Sequence, residues 1–268
     1  MSARCRSLLI AFFLTPLIHA APAWQAELTS PTPGRFATLV PTVLDFQVSW
    51  NGAINAGNIR IEFAPPDVRK VGTSIVRAAA ASHGAAAVLF PYQTNFWSEI
   101  APTSLRPRYF HAVETDPRET VTTTVRHAIT RVESVEITRQ LNTGITKQTD
   151  RSFAFSPVFD IFSAMLLVRS QKLATGDHVT LVIHPFDTPY LLRVKVQGRE
   201  VHHGRNTIRL TLGLRKIDRD TLELKPYKKL KQDANLWLSD DADRVPVELR
   251  AAAFIGDVRA TLAAHCKP

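Results

Sequence analysis

The feature of this sequence that most constrains its fold is the regular alternation of apolar and polar side chains in its second half. Ile208, Leu210 and Leu212 stand at every second position, and Arg209 lies between the first two. Successive side chains of a β-strand point to opposite faces of the sheet, whereas a helix repeats about every 3.6 residues. The spacing therefore predicts a strand with one apolar face and one polar face.

The polar face of this predicted sheet is largely basic. Val194 and Val196 alternate with cationic side chains in a neighbouring segment, and Leu249 is also followed by a cation. The basic positions on these segments are Arg193, Lys195, Arg209 and Arg250. Like charges on adjacent strands repel one another, so this arrangement favours an acidic ligand on that face. The alternative is a solvated face on which Glu248 and other carboxylates relieve the repulsion.

Short runs of β-branched, aromatic and alternating residues occur throughout the chain after residue 43. They predict strands at 44–50, 59–63, 75–81, 96–100, 108–114, 121–129, 132–138, 179–184, 190–196, 207–214, 236–239, 244–251 and 257–262. A short helical turn is expected after the 75–81 strand. Asp160 can cap a longer helix, in which Ile161 and Ala164 begin an apolar stripe at helical spacing. We predict one mainly antiparallel β domain, with this helix covering the sheet.

Residues 1–23 are predicted to be a signal peptide. Arg4 and Arg6 precede an apolar run that extends from 8 to 18. Ala21-Pro22-Ala23 matches the small-residue pattern of a cleavage site, and a cut after residue 20 also fits. The run is too short for a membrane-spanning helix, which needs about 20 residues, and a buried helix is the alternative. We expect export to the periplasm or the extracellular space, with no transmembrane segment after signal removal.

The remaining chain is expected to form a single domain. Residues 24–43 contain several prolines and are predicted to be an extended N-terminal arm, followed by a β-rich domain at 44–263 and a tail at 264–268. Cys5 lies in the predicted signal peptide. Cys266 is then the only thiol left, so no internal disulfide is expected.

The formal net charge of +9 is clearly basic and makes acidic partners plausible. Exported proteins rarely meet nucleic acid, so we expect none. An anionic lipid, lipopolysaccharide, an acidic glycan or an envelope protein is the more natural partner. Alternatively, the positive charge only keeps the surface soluble.

The stretch from 236 to 250 predicts a hairpin with an acidic turn. Trp237 is expected to be a large apolar anchor. Asp240 and Asp241 are expected to accept hydrogen bonds from turn amides, and Arg244 to pair with a carboxylate across the hairpin. This interpretation requires no ligand.

The sequence contains no recognisable catalytic constellation. A nucleophile elbow, a His-Glu-x-x-His pair and a phosphate-binding glycine loop are all absent from it. His184, His202 and His203 lie near predicted strand ends, but neighbouring residues of a strand point to opposite faces. We therefore expect exposed turn histidines and neither a metal nor a cofactor. The acidic turn also lacks the spacing of a calcium loop.

Three segments carry a resemblance to a known family. They are Val48-Ser49-Trp50-Asn51-Gly52 with Ala56-Gly57, Asp160-Ile161-Phe162-Ser163-Ala164, and Trp237-Leu238-Ser239-Asp240-Asp241 with Arg244-Val245-Pro246-Val247. Over roughly residues 44 to 263 the chain resembles the bacterial exported family called domain of unknown function 3108. The resemblance implies a curled antiparallel sheet or incomplete β-barrel in the bacterial envelope, with no established activity. The structural motif residues are Trp50, Trp237, Asp240, Asp241, Arg244 and Pro246.

These observations predict a noncatalytic envelope protein. Its ligand would lie in an apolar concavity of the sheet as a lipid chain, or on the basic face as an anionic headgroup or glycan. An envelope partner that pairs with an open sheet edge is another possibility. The enzymatic alternative is a hydrolase of envelope glycans, with Asp187, Asp240 or Asp241 as acid and base.

Overall fold

The computed structural model describes residues 21–36, 39–65, 70–253 and 256–267. They form one antiparallel sheet of fifteen strands with two α-helices and a 3-10 helix, which confirms the predicted mainly β fold. Most of the predicted signal peptide, at 1–20, lies outside the described residues. None of the described helices is long and apolar enough to span a membrane.

The first half of the chain forms eight strands. They are β1 Thr42–Trp50, β2 Ile54–Phe63, β3 Ser74–Ser82, β4 Gln93–Ile100, β5 Pro107–Thr115, β6 Glu119–His127, β7 Val132–Gln140 and β8 Thr146–Phe153. The 3-10 helix, Ala23–Glu27, precedes β1, and the short helix α1, Gly84–Leu89, connects β3 to β4. Each strand pairs with the next along the chain, so this half is a series of antiparallel hairpins.

The second half begins with helix α2, Ile161–Ser170, and continues with seven strands. They are β9 His178–Ile183, β10 Tyr190–His202, β11 Arg205–Ile217, β12 Leu224–Pro226, β13 Ala234–Ser239, β14 Pro246–Ala253 and β15 Gly256–Cys266. Strand β15 pairs with β1 and thereby joins the two halves. The sheet order is β8-β7-β6-β5-β4-β3-β2-β1-β15-β14-β13-β11-β10-β9, with β12 paired only to β11.

The sheet is open, since β8 and β9 lie at its two ends and do not pair with each other. It nevertheless curls around α2. Phe162 of the helix lies 6.1 Å from the ring of Phe96 on β4, while Ala164 belongs to a core cluster that contains Val194 of β10 and Leu238 of β13. Strands that are far apart in the sheet order therefore contact the same helix. This is the incomplete barrel with one covering helix that the sequence predicts.

Helix α2 begins where the sequence predicts, because Asp160 caps it. The Asp160 carboxylate accepts a hydrogen bond from the Ser163 amide at 2.7 Å, and the Ser163 hydroxyl accepts one from the Asp160 amide at 2.9 Å. This reciprocal pair satisfies two of the amides that a helix start leaves without partners. The Ser98 hydroxyl of β4 also donates to Asp160, which fixes the helix against the sheet.

Several boundaries differ from those predicted. Strands β8 and β12 were not expected, and β10 continues to His202, six residues beyond its predicted end. The N-terminal arm is not simply extended, because it opens with the 3-10 helix, in which Trp24 is buried and donates to the Leu222 carbonyl at 2.9 Å. Strand β15 reaches Cys266, opposite Val43, and so includes residues that were assigned to the tail.

Candidate functional site

An apolar cavity of about 430 Å³ lies between α2 and the inner face of the sheet. Its walls come from the helix and from strands in both halves of the chain. They include Phe46, Ile61, Met165, Val194, Leu212, Leu236, Pro246, Leu249, Ala251 and Ala260. The predicted apolar concavity is therefore present.

The register of the strands explains why these side chains share one face. Leu210, Leu236, Leu249 and Ala260 lie directly opposite one another on β11, β13, β14 and β15. Side chains two positions away along each strand point the same way, which brings Leu212 and Ala251 to the same surface. The row changes from leucine to alanine toward β15, so the small side chains leave space that the helix does not fill.

The cavity is open to solvent on one side. Leu249 keeps 38% of its surface exposed although it belongs to the cavity wall. An apolar ligand that covers such an exposed aliphatic side chain removes apolar surface from water, which favours binding. The cavity thus offers an unsatisfied apolar surface with an entrance.

Among the described residues, Arg169 is the one charged side chain in the wall of this cavity. It is only 6% exposed, and its guanidinium donates to the Asp243 carbonyl at 2.6 Å. The Arg169 Nε atom has no hydrogen-bond partner, and no described carboxylate forms an ion pair with the side chain. Burial lowers the pKa of Arg169 to about 10, although the negative charges of Asp243 and Asp241 raise it in part. The side chain is therefore cationic at neutral pH.

The predicted basic residues lie on the opposite, outer face of the same strands, but most of them are neutralised. Arg193 pairs with Glu27 of the 3-10 helix at 2.7 Å, and Arg250 pairs with Glu248 at 2.7 Å. Arg209 lies 3.9 Å from a carboxylate oxygen of Glu200, hydrogen-bonds to Asn235 and lies above the Trp237 ring. Lys195 is exposed and has no ion pair among the described residues.

Register brings only two of these four cations close together. Arg209 lies opposite Trp237, and the Arg250 guanidinium lies 5.2 Å from the centre of the same ring. Arg193 and Lys195 lie further along β10, opposite Gly213 and Thr211. The outer face therefore lacks a continuous ladder of free cations.

The acidic turn after β13 is built differently from the prediction at two positions. Asp241 accepts hydrogen bonds from the amides of Asp243 and Arg244, both at 3.0 Å, as expected. Asp240 instead pairs with Arg199 at 2.8 Å. Arg244 forms no ion pair with a described carboxylate and instead donates to backbone carbonyls at the end of α2.

Arg244 satisfies the carboxyl end of α2. It donates to the carbonyls of Arg169 at 3.2 Å, Gln171, and Lys172 at 3.0 Å, and it lies 3.6 Å from the centre of the Phe36 ring. The last carbonyls of a helix have no internal partners and carry a partial negative charge, so a cation is stabilising there. The turn of the closing motif is thereby attached to the helix that covers the cavity.

Trp237, which the sequence places as an apolar anchor, lies on the outer face and is buried there by polar groups. The His202 ring stacks on it, with 4.1 Å between ring centroids and an angle of 7° between planes. The Trp237 indole donates to Glu200 at 2.6 Å. Trp50, at the end of β1, has a buried indole Nε1 with no partner among the described residues. Pro246 belongs to the cavity wall.

His202 and His203 converge on one carboxylate, contrary to the expectation that they point to opposite faces. Their Nε2 atoms lie 3.3 Å and 2.5 Å from the same oxygen of Glu248. The reason is that His203 leaves the strand, since His203 and Gly204 both have positive φ, at 49° and 71°. Such a pair forms the tight two-residue turn of a β-hairpin, which rotates the second histidine back over the sheet.

Glu248 is 1% exposed and remains ionised in this cluster. Burial raises its pKa, but hydrogen bonds from His203 and Arg250 lower it by more, so the pKa lies below its ordinary value. We call His202, His203, Trp237, Glu248 and Arg250 the outer cluster. His202 and His203 were candidates from the sequence, but their partner Glu248 on β14 was not.

His184 is separate from the outer cluster. It is fully buried beside β9, rather than exposed in a turn as predicted. Burial and the neighbouring Arg219 cation lower its pKa to about 4. His184 and His202 lie at opposite ends of β10, because Ile183 pairs with Tyr190 at the start of that strand.

Of the carboxylates named for a hydrolase, Asp187 lies far from Asp240 and Asp241, which are neighbours in the turn after β13. Arg199 pairs with Asp240, and turn amides donate to Asp241. Asp187 precedes β10 and contacts Arg151, whereas Asp240 follows β13 at the other end of the same ribbon. About ten strand residues separate these ends, which is roughly 30 Å. Paired carboxylates of glycosidases lie only about 5 to 9.5 Å apart.

Comparisons with known proteins agree with this fold and name no activity. The family model described as "Protein of unknown function (DUF3108)" matches residues 45–263. The structure is similar to the "Crystal Structure of Beta-barrel-like Protein of Domain of Unknown Function DUF1849 from Brucella abortus". That similarity has a TM-score of 0.54 at 9% identity and covers 85% of this chain and 97% of the other. No curated protein matches the sequence.

Proposed function

We propose that this chain, which belongs to the family described as "Protein of unknown function (DUF3108)", is a noncatalytic envelope protein that binds the hydrocarbon chain of an anionic lipid. The family description names no activity, so the support for this role comes from the cavity. The observation that carries the proposal is the open apolar cavity between α2 and the sheet. Its volume of about 430 Å³ falls within the range of small-molecule sites.

The composition of the wall favours a lipid chain over a polar ligand. Aliphatic and aromatic side chains make up almost the whole surface, so a sugar or peptide would lose hydrogen bonds to water without replacement. A methylene that leaves water for such a surface contributes about 0.8 kcal/mol. Affinity therefore comes from the length of chain that the cavity accepts.

The buried cation favours an anionic headgroup. Arg169 is the one charged residue that the described part of the chain brings to the wall, and its Nε atom has no hydrogen-bond partner there. A buried charge is costly unless it is paired, and a guanidinium binds a carboxylate or phosphate through two parallel hydrogen bonds. We place the headgroup beside Arg169, at the end of α2, and the chain along β11, β13 and β14.

The outer basic face is a weaker candidate than the cavity for binding the anionic lipid, since Glu27 and Glu248 already neutralise two of its cations.

Export to the periplasm remains part of the proposal and is supported by the N-terminal sequence. It is tested by cell fractionation and by sequencing of the mature N-terminus. A protein retained in the cytoplasm with its first residues intact would contradict it.

The cavity is tested by filling it. Ala251→Phe introduces an aromatic ring into the wall, whereas Ala252→Phe places the same ring on the outer face of the same strand. We expect delipidated wild-type protein to bind a fluorescent fatty acid saturably. Ala251→Phe is expected to weaken this binding by at least about tenfold. Ala252→Phe should change it by less than about twofold.

The pair of variants also distinguishes blockage from unfolding. Both proteins are compared with the wild type by circular dichroism and thermal unfolding before the titration. Equal binding by folded Ala251→Phe and wild-type protein would overturn the proposal, as would the absence of saturable binding by the wild type.

A further inference from the structure

We infer that His202, His203 and Glu248 form a site for a divalent transition-metal ion of the zinc type. Two imidazole nitrogens and a carboxylate oxygen of these residues all lie within 4.8 Å of one another. The site lies on the outer face, so it is independent of the apolar cavity. It reverses the expectation of no metal, which rested on the two histidines pointing apart.

Each imidazole nitrogen lies within about 1 Å of the spacing from the Glu248 oxygen that tetrahedral coordination requires, and all three donor atoms lie within 4.8 Å of one another. Bonds of about 2.0–2.2 Å to nitrogen and oxygen place neighbouring ligand atoms about 3.3 Å apart. His202 Nε2 already lies 3.3 Å from Glu248 Oε2. His203 Nε2 lies at 2.5 Å and must withdraw by less than about 1 Å. Its side chain is 51% exposed in a two-residue turn, which leaves it room to move.

The chemistry of the donors matches a zinc-type ion better than calcium or magnesium. Calcium and magnesium prefer oxygen ligands, whereas imidazole suits zinc, copper and nickel. Three protein ligands leave one position for water or for an external ligand. His202 at the end of β10, His203 in the following turn and Glu248 on β14 supply these three ligands.

Neighbouring residues hold two of the three ligands in place. Arg250 donates to the other oxygen of Glu248, Oε1, at 2.7 Å, which orients the carboxylate and leaves Oε2 to the histidines. Trp237 stacks flat on the His202 ring and fixes its plane. Such outer contacts orient metal ligands and strengthen binding. A bound ion would also connect the tip of the β10–β11 hairpin to β14, across the intervening β13.

The site is tested with protein that is purified without a histidine tag and treated with a chelator. We expect isothermal titration with Zn²⁺ to show one ion per chain. His203→Ala and Glu248→Gln should each weaken binding by at least about tenfold, because each removes one ligand. His83→Ala, which removes an exposed histidine that contacts Asn58 in another part of the sheet, should leave binding unchanged.

His202→Phe gives a second test that preserves the stack on Trp237 while it removes the nitrogen ligand. We expect this variant to fold and to lose Zn²⁺ binding to the same degree as His203→Ala. Co²⁺ bound to the wild type should show the strong visible absorption of a tetrahedral complex. The inference is overturned if the wild type shows no saturable binding, or if the three ligand variants bind Zn²⁺ as His83→Ala does.

Discussion

Removal of the Arg244 side chain should destabilise the protein strongly, because this residue attaches the acidic turn to the end of α2. It donates to three backbone carbonyls, at Arg169, Gln171 and Lys172, and covers the Phe36 ring. A hydrogen bond that involves a charged group contributes about 1.5 to 3 kcal/mol, but the desolvated cation offsets part of this gain. We therefore expect Arg244→Ala to lose about 3 kcal/mol of unfolding free energy.

This loss should be measured by urea unfolding and by thermal unfolding. In a domain of this size about 3 kcal/mol lowers the melting temperature by about 6 to 12 °C. The backbone at Arg244 has φ 46°, and alanine has the same difficulty there as arginine, so the comparison isolates the side chain. Lys195→Ala is the control, since this exposed residue has no described ion pair and should cost less than about 0.5 kcal/mol. A loss below about 1 kcal/mol in Arg244→Ala would refute the reasoning.

Three further predictions concern protonation and the two faces of the sheet. His184 has a pKa of about 4 in the fold, below its ordinary 6.5, so the unfolded chain binds more protons between these values. The free energy of unfolding should fall as the pH drops from about 6.5 to about 4. In His184→Gln the midpoint urea concentration should therefore depend less steeply on pH, and an unchanged slope would contradict this. Arg169→Met should abolish the preference of the cavity for a fatty acid over the alcohol of equal length, measured by competition with a fluorescent fatty acid; a preserved preference would place the headgroup elsewhere. A variant in which serine replaces the four outer cations should bind a long-chain alcohol within about twofold of the wild-type affinity, because these side chains (Arg193, Lys195, Arg209 and Arg250) face away from the cavity. A large loss of affinity would place the hydrocarbon chain on the outer face.

The period-two pattern predicted the sheet and its apolar face because both depend on local alternation. Val194, Leu212 and Leu249 all line the cavity, as their spacing requires. Strand β8 was missed because it is an edge strand of mostly exposed polar residues, which lacks that alternation. Strand β12 has only three residues and pairs with β11 alone.

The outer cluster could not be predicted from alternation alone, because it depends on one turn and one distant strand. The His203-Gly204 pair between two alternating runs is a signal for a two-residue hairpin turn, which would have shown that His203 leaves the strand. Its partner Glu248 lies 45 residues away and depends on the order of β11, β13 and β14. The role of Arg244 was hidden for the same reason, since its acceptors are carbonyls, which every residue has.

Burial of a hydrocarbon chain in the cavity is tested most directly by a titration of the delipidated protein with saturated fatty acids of increasing length. Each added methylene should tighten binding by about fourfold, the equivalent of about 0.8 kcal/mol, until the cavity is full. Beyond that length the affinity should level off, and in Ala251→Phe it should level off at a shorter chain. An affinity that does not depend on chain length, or a plateau that Ala251→Phe leaves in place, would contradict the proposed function.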